Sequence, residues 1–552
     1  MERIIIQTVI HERPVIKLDK KTAEDLGIEN FRFTNVRFGY KSVETEVLIE
    51  DTTDKRIFFS NELTELLMIP TDCSYHLLKK KNELVVGPFI GILMGSDYEK
   101  NLVNKLRAVQ SYIKSYSDIN GVVCAFTLDQ INTANLKIKC FFYNPKLDIW
   151  EFSELPYPDV VFRKSTLNKG WREYFAALYP SRIFNYKSLD KWETMERLNK
   201  FEDTENAVPA TKVCNNPNDL IAFFREHKNI YLKPIKGSKG QGIFNAYING
   251  ENIILKSREE RENFKWEFSN YEDFILYITS NINLNNYLVQ KTLDISRDGK
   301  IVDFRLSFDK NESGEWENHI FLARVSDHDN VVSNIASGGL GMYPEDALKN
   351  VLKMTDEEVE YYKNNLRVTG KRVAEKLDSD GICFGKFGMD LTIDNKGHVW
   401  IIEVNTRYPD DGLMVVLKDY QTINQIRRTN MLYSKALGGF KKGLYKYTAE
   451  IAKDLKDSKN IRKRYLLHIS GKVQGVGYRK YVKNAASELQ LAGTIKNNEY
   501  KRRVDIEIEG GVDDIIQFIK NIKIGTTKAR VTAVGIKELE LLNQNKGFYI
   551  SK

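Results

Sequence analysis

Apolar and polar residues alternate through residues 1–85 with little helical periodicity, predicting a small strand-rich domain. The apolar run Val85–Met94 predicts a buried strand, and a helical pattern follows from Tyr98 to Ser115. Gly121–Phe126, Ile138–Phe142 and Asp159–Phe162 are further short apolar runs. Strands alternating with helices predict a parallel α/β domain over residues 86–185. The longest continuous body, residues 186–440, mixes both periods. Residues 441–462 are rich in lysine with little apolar weight and read as a linker. No internal repeat or low-complexity tract stands out.

The last segment, residues 463–552, reads as an independent unit. Strand Tyr465–Ser470, a glycine loop, helix Arg479–Leu489, two strands, helix Val512–Ile522 and strand Ala529–Leu539 give the order βαββαβ. That is the ferredoxin-like order, which hosts many functions. The fold class expected for the whole chain is α+β and multidomain.

Composition narrows the setting. Apolar residues make up 42% of the 552 positions and charged residues 29%, which suits a chain with real cores and a charged surface. No apolar run reaches the length of a membrane span, so no membrane role is expected. The amino end is interrupted by charge too soon for a secretory signal and reads as a first strand. Cys73, Cys124, Cys140, Cys214 and Cys383 are scattered, with no C-x-x-C pair. This argues against a disulfide framework or zinc site and for a reducing cytoplasm. The net charge of +8 falls in short clusters without interleaved aromatics, so no nucleic-acid partner is expected, and anionic small ligands account for the balance.

The most informative stretch is Gly388–Asn405. Its ends alternate as strands do, and Asp394-Asn-Lys-Gly397 supplies turn chemistry. Glu403 and Asn405, two apart, share a face. With a loop of two or four residues, Asp390 lands opposite or diagonal to Glu403 on that face. Two carboxylates and an amide oxygen suit Mg²⁺ carried on nucleotide phosphates, and they equally suit a solvated hairpin face.

Tyr231–Ile243 runs from a strand into a glycine-rich loop that could present N–H groups to phosphate or be a plain surface loop. It is neither a Walker A nor a G-x-G-x-x-G motif. Tyr287–Lys291 is a short apolar strand whose backbone edge could pair with a flat base. Asp303 and Arg305 share a strand face, and His319–Ser326 brings Arg324 the same way. These arginines read as ordinary ion pairs or as partners for phosphoryl oxygens.

Taken in order, a lysine, K-P-x-x-G-S-x-G-x-G, Y-L-V-Q, D-x-R, an arginine and G-x-D…E-x-N resemble the ATP-grasp superfamily over residues 60–440. The endospore-coat-associated, YheC/YheD-like branch is the one they are most similar to. The resemblance implies that Lys191 and Lys233 hold ATP phosphates beneath a mobile flap, Gly237 to Gly242, with Ser238 and Gly240 within it. It implies that Leu288 and Gln290 frame the adenine, and that Arg305 and Arg324 stabilise the phosphoryl group in flight. Asp390, Glu403 and Asn405 would hold Mg²⁺. The implied reaction joins a small-molecule or peptide carboxylate to an amine through an acyl phosphate. Where many ligases of the superfamily continue Asn-x-x-Pro-Gly, this chain has Asn405-Thr-Arg-Tyr-Pro-Asp-Asp-Gly412, so the acceptor side differs. The acceptor pocket is expected around residues 326–345 and 406–415.

Gly471-Lys-Val-Gln-Gly-Val-Gly-Tyr-Arg479 leads directly into a helix, so loop N–H groups and a helix amino terminus converge; a tight turn would read the same. These residues closely resemble the acylphosphatase signature G-x-V-Q-G-V-x-[FY]-R. By that resemblance Arg479 binds phosphate and Asn497 orients the attacking water. Thr494 stands where the family usually has Trp. The expectation is an ATP- and Mg²⁺-dependent ligase with a module that hydrolyses acyl phosphates. The alternatives are a spore-associated nucleotide-binding protein without turnover, or acylphosphatase activity as the main role.

Overall fold

The computed structural model describes residues 3–28, 32–51, 57–81, 83–98, 106–237, 241–259, 262–327, 340–379, 381–407, 411–440, 462–498 and 503–511. Within 514–551 it describes all but 516, 517, 520, 523, 524, 527, 528 and 543–546. Ser238, Gly240, linker residues 441–461 and, from the expected acceptor region, residues 328–339 and 408–410 lie outside the described residues. The chain divides into two compact units, Met1–Tyr186 with Ser434–Lys552, and Lys187–Tyr433.

In the first unit, the early alternation closes into a seven-stranded barrel. One half contains strands Arg3–Val9, Val15–Asp19 and Phe33–Phe38 with helix Lys20–Leu26. The other contains strands Lys41–Glu50, Ile57–Ser60 and Ser74–Lys80 with helix Asn61–Leu67. Strand Glu83–Gly87 inserts between Phe33–Phe38 and Ser74–Lys80. Ile6 lies opposite Ile57 and Val47 opposite Ile16, both in parallel pairs, and the spacing from Ile6 to Val47 equals that from Ile16 to Ile57. The antiparallel pairs obey the same relation: Ile4 faces Tyr75 as Thr45 faces Thr34. Each helix begins at a side-chain cap directly after a strand, Asp19 accepting from the Thr22 N–H and Ser60 from the Leu63 N–H. The barrel is therefore internally duplicated, which corrects the expectation of no repeat. The sequence conceals it because the halves share geometry through different residues: Asp caps one helix and Ser the other.

The apolar run Val85–Met94 is two strands rather than one. Glu83–Gly87 completes the barrel and Phe89–Gly95 enters the next sheet. Pro88 between them lacks the N–H that an uninterrupted strand needs. Of the helix expected over Tyr98–Ser115, residues 99–105 lie outside the described residues, Leu106–Gln110 is helical, and residues 111–115 are turns, so the helix ends short of Ser115. The next sheet is mixed rather than parallel. Phe89–Gly95 runs parallel to Val122–Thr127 and Val160–Arg163, but Lys137–Asn144 is antiparallel to Val122–Thr127 and to Ile149–Pro156. The connection from Thr127 to Lys137 is too short for a crossover helix, so the chain must return antiparallel. One continuous cluster of buried apolar side chains, including Phe38, Phe89, Phe126 and Tyr157, serves both barrel and sheet.

The C-terminal sheet has the order Arg530–Leu539, Arg462–Lys472, Arg503–Gly511, Ala492–Asn498, Phe548–Ile550. Helix Tyr478–Glu488 packs on it through Tyr478, Val482 and Ala486. The last strand, parallel to Ala492–Asn498, adds a fifth to the expected four.

Lys187–Tyr433 holds two sheets. The first has the order Thr211–Val213, Tyr287–Lys291, Asn229–Pro234, Phe244–Asn249, Asn252–Glu259, Glu262–Phe268. Helices Pro217–His227 and Tyr271–Asn281 bury Phe224 and Phe274 with Ile230, Leu232 and Val289. By alternation this leaves Lys233, Leu288 and Gln290 together on the opposite face. The second sheet has the order Leu340–Met342, Trp316–Asp327, Lys300–Lys310, Lys386–Ile393, Val399–Asn405. Helix Asp356–Asp378 lies on one face, where Gly370 lets the Phe308 ring approach. Ile320 and Leu322 on the other face pack against Met414, Ile423 and Ile426.

Candidate active sites

The polar face of the second sheet is built by strand register. Asp303 pairs with Arg324 across one ladder and with Thr392 across the other, while Arg305 pairs with Asp390. Asp390 in turn pairs with Glu403, and Gly388 with Asn405. The expected even-numbered hairpin loop is not what achieves this. The loop holds Asp394 through His398, since Ile393 pairs with Val399, and that register would set Asp390 opposite Ile402. A bulge at Ile402 shifts the ladder. It lets Ile401 and Val404, an odd spacing apart, both stay buried while Glu403 and Asn405 emerge on the face of Asp390. His398 ends the loop, its Nε2 2.7 Å from the Asn206 carbonyl and its ring beside Trp400.

The charges on this face are tightly paired. Arg305 Nε donates to Asp390 Oδ1 at 2.5 Å and a second guanidinium nitrogen to Oδ2 at 3.1 Å. Arg324 Nε donates to Asp303 Oδ1 at 2.5 Å, and its other arm lies 3.0 Å from Asp390 Oδ1. Asp303, Arg324 and Asp390 are all buried. Burial pushes the Asp390 carboxyl up, but Arg305 and Arg324 more than reverse this and hold it below the usual range. Burial works against the charge on Arg324, and Asp390 and Asp303 together raise its pKa above the usual arginine value.

Two lysines converge beside Glu403. Lys191 opens helix Lys191–Leu198, which Asp190 and Glu193 fix with a capping box. Thr406, following the metal-candidate strand, accepts the Leu189 N–H at 2.8 Å and so ties that helix start to Asn405. Lys191 Nζ lies 3.7 Å from Glu403 and donates to the Gly237 carbonyl at 2.9 Å. Lys233 Nζ donates to Gln290 Oε1 at 2.5 Å, and Gln290 Nε2 donates to Thr211 Oγ1 at 2.9 Å. Burial drives Lys233 down to about 8, against the attraction of Glu403 and with the repulsion of Lys191. A desolvated ammonium held by a neutral amide is an incomplete arrangement that an anion completes.

Strand Tyr287–Lys291 does not offer a free edge to a base. Thr211–Val213 occupies one side and Asn229–Pro234 the other. Leu288 and Gln290 instead contribute the side-chain face beside Lys233. Gly237 is exposed at the loop's near end, and Gly242 at its far end has a left-handed φ of 69°. The sequence reading did not assign Thr211, Asp303 or Thr406 a role. Asp303 was visible in D-x-R, whereas Thr211 and Thr406 carry no local signature.

The donors fit a hard divalent cation. Asp390 and Glu403 are directly opposed, which sets their Cβ atoms about 4.5–5.5 Å apart. Asn405 adds an amide oxygen on the same face. Among the described residues no three His, Cys, Asp or Glu side chains cluster, so this face rests on two carboxylates and an amide.

In the C-terminal module, Gly475 and Gly477 take left-handed φ values of 72° and 73°, turning the loop into helix Tyr478–Glu488. Arg479 is partly exposed and, among the described residues, makes no ion pair. On strand Ala492–Asn498, the Asn497 Oδ1 is buried without a hydrogen-bond partner among the described residues.

These two sites belong to an ATP-grasp fold and an acylphosphatase fold. Residues 181–437 match the YheC/D-like ATP-grasp family model, and residues 465–550 match the acylphosphatase model. The chain thus carries a YheC/D-like ATP-grasp domain, and its C-terminal module belongs to the acylphosphatase family. Among relatives, it is 22% identical to endospore coat-associated protein YheD of Bacillus subtilis, covering 72% of this chain and 90% of that protein. It is 22% identical to YheC of the same organism, covering 51% and 79%. An acylphosphatase of Clostridium beijerinckii is 34% identical over 16% of this chain and 96% of its own length. Among the described residues no helix is long and apolar enough to cross a membrane.

Proposed function

We propose that Lys187–Tyr433 binds ATP with Mg²⁺ and ligates a small-molecule or peptide carboxylate to an amine in the cytoplasm. Lys191 and Lys233 hold the phosphates, with residues 237–242 above them and Leu288 and Gln290 beside the base. Arg305 and Arg324 steady the γ-phosphoryl group as a carboxylate oxygen attacks it and ADP departs. The amine then adds to the acyl carbon, loses a proton and expels phosphate, leaving an amide. Asp390, Glu403 and Asn405 would hold Mg²⁺, which supplies charge neutralisation at the phosphates. The C-terminal module hydrolyses acyl phosphates, with Arg479 gripping the phosphate and Asn497 orienting water through its unpaired oxygen.

The observation that carries this reading is Lys233: a half-buried cation whose hydrogen-bond acceptor is a neutral amide, next to a second lysine and a carboxylate pair. The test is substrate-stimulated ADP release across carboxylate and amine panels, with mass spectrometry of the products. Release that disappears in Glu403→Ala is the expected result. ATP bound without turnover across the panels would replace the ligase with a nucleotide-binding role.

A further inference from the structure

The pairing on the polar face has a consequence for the order in which ligands bind. Both oxygens of Asp390 are occupied, Oδ1 by Arg305 at 2.5 Å and Arg324 at 3.0 Å, Oδ2 by Arg305 at 3.1 Å. The Asp390 side chain is only 7% exposed, so its lone pairs face guanidinium groups rather than water. A cation approaching alone meets a carboxylate already neutralised by two fixed positive charges at low dielectric, where their repulsion is weakly screened.

The two arginines are not equivalent. Arg324 is also held by Asp303, which is 1% exposed and bonds its Nε at 2.5 Å. Among the described residues Arg305 donates hydrogen bonds to one carboxylate, Asp390, and feels Asp303 only through longer-range attraction. If Asp390 turns to a cation, Arg324 therefore keeps a hydrogen-bonded carboxylate and Arg305 does not. A polyphosphate is the partner that Arg305 lacks, because its oxygens accept the same planar fork.

Resting on the proposed nucleotide site, we infer that Arg305 is an exchangeable clamp and Asp303 a positioning residue that anchors Arg324. Asp390 becomes available to a divalent cation only when nucleotide phosphates take Arg305 in its place. Cation and nucleotide then bind together, and a cation without nucleotide binds weakly.

Mn²⁺ binding to the full chain, followed by electron paramagnetic resonance of free Mn²⁺, tests this with and without a non-hydrolysable ATP analogue. In the unsubstituted protein the analogue should tighten Mn²⁺ binding by about tenfold or more. Arg305→Gln should tighten binding of Mn²⁺ alone by a similar factor and shrink the effect of the analogue. Asp303→Asn should act oppositely and weaken Mn²⁺ binding, because Arg324 then has only Asp390 to pair with. Thermal melting of each variant separates lost binding from lost folding, and the unsubstituted protein carries the test if a variant does not fold. Equal Mn²⁺ affinity with and without bound analogue would overturn the exchange. So would Arg305→Gln and Asp303→Asn, both folded, moving the affinity of Mn²⁺ alone in the same direction. Failure of the analogue to bind at all, even with Mn²⁺, would overturn the nucleotide reading itself.

Discussion

The arginines of the two candidate sites have opposite histories of charge. Arg305 and Arg324 in the ATP-grasp domain are matched by Asp390 and Asp303, all within one buried network. Arg479 in the acylphosphatase module makes no ion pair among the described residues. A matched arginine must surrender a carboxylate before it can serve a phosphate, whereas an unmatched one is already poised. On the proposed roles, the difference teaches that similar anionic chemistry can rest on a site that exchanges partners or on one whose charge is already free. Lys233, whose hydrogen-bond acceptor among the described residues is a neutral amide, makes the ATP-grasp domain a mixture of both strategies.

Substitutions can break this contrast in a graded way. The largest effect is expected from Arg479→Ala, which should lower acyl-phosphate hydrolysis by roughly 10²–10³-fold, as loss of a charge-stabilising donor does. Nucleotide affinity should be unchanged in that variant; a parallel loss of both activities in a steady-state assay would erase the distinction between sites. Lys233→Ala should weaken ATP binding by about 10–100-fold, the worth of one charge-assisted hydrogen bond, as read by calorimetry.

The pH dependence of ATP binding sharpens the comparison further. The free-site Lys233 loses its proton near pH 8, whereas an unfolded lysine loses it near 10.5. Affinity should therefore hold below about pH 8 and fall as pH rises past it if, as proposed, the phosphates bind the ammonium. Chain stability should move the other way, gaining between pH 8 and 10.5, where the folded site has shed a charge that the unfolded chain still carries. Acyl-phosphate hydrolysis, which does not involve Lys233, should lack this inflection; calorimetric titrations and a hydrolysis profile across pH 7–10 check both. Asp190→Ala is expected to give the smallest change. It removes the cap of the helix that begins at Lys191 and should cost about 1 kcal/mol in urea unfolding, with a modest loss of nucleotide affinity.

Much of this was legible in the residues because alternation encodes faces. Glu403 and Asn405, or Asp303 and Arg305, could be assigned to common faces without coordinates, and the ferredoxin-like order followed from apolar periods. What escaped depends on non-local pairing. The barrel's duplication lies in register, Ile6 to Ile57 matching Val47 to Ile16, and not in repeated residues. The split at Pro88 was hidden within an unbroken apolar run, since period alone does not say where a strand changes sheet. The occupied edges of Tyr287–Lys291 were invisible because Thr211–Val213 is short and distant in sequence. Thr406 gave no clue that its hydroxyl would secure the Leu189 amide.

Ile402 deserves a separate experiment, because as the surplus residue of its hairpin it can be removed without reversing either side of the sheet. With it gone, Ile401 and Glu403 become neighbours on a regular ladder, Asp390 still opposes Glu403, and Val404 still points inward. The shortened chain should fold as well as the original while losing the local twist that aims the carboxylate, so cation dependence should suffer and melting temperature should not. A residue dispensable for folding yet required for ligand geometry would mark where this protein keeps irregularity for the sake of its chemistry.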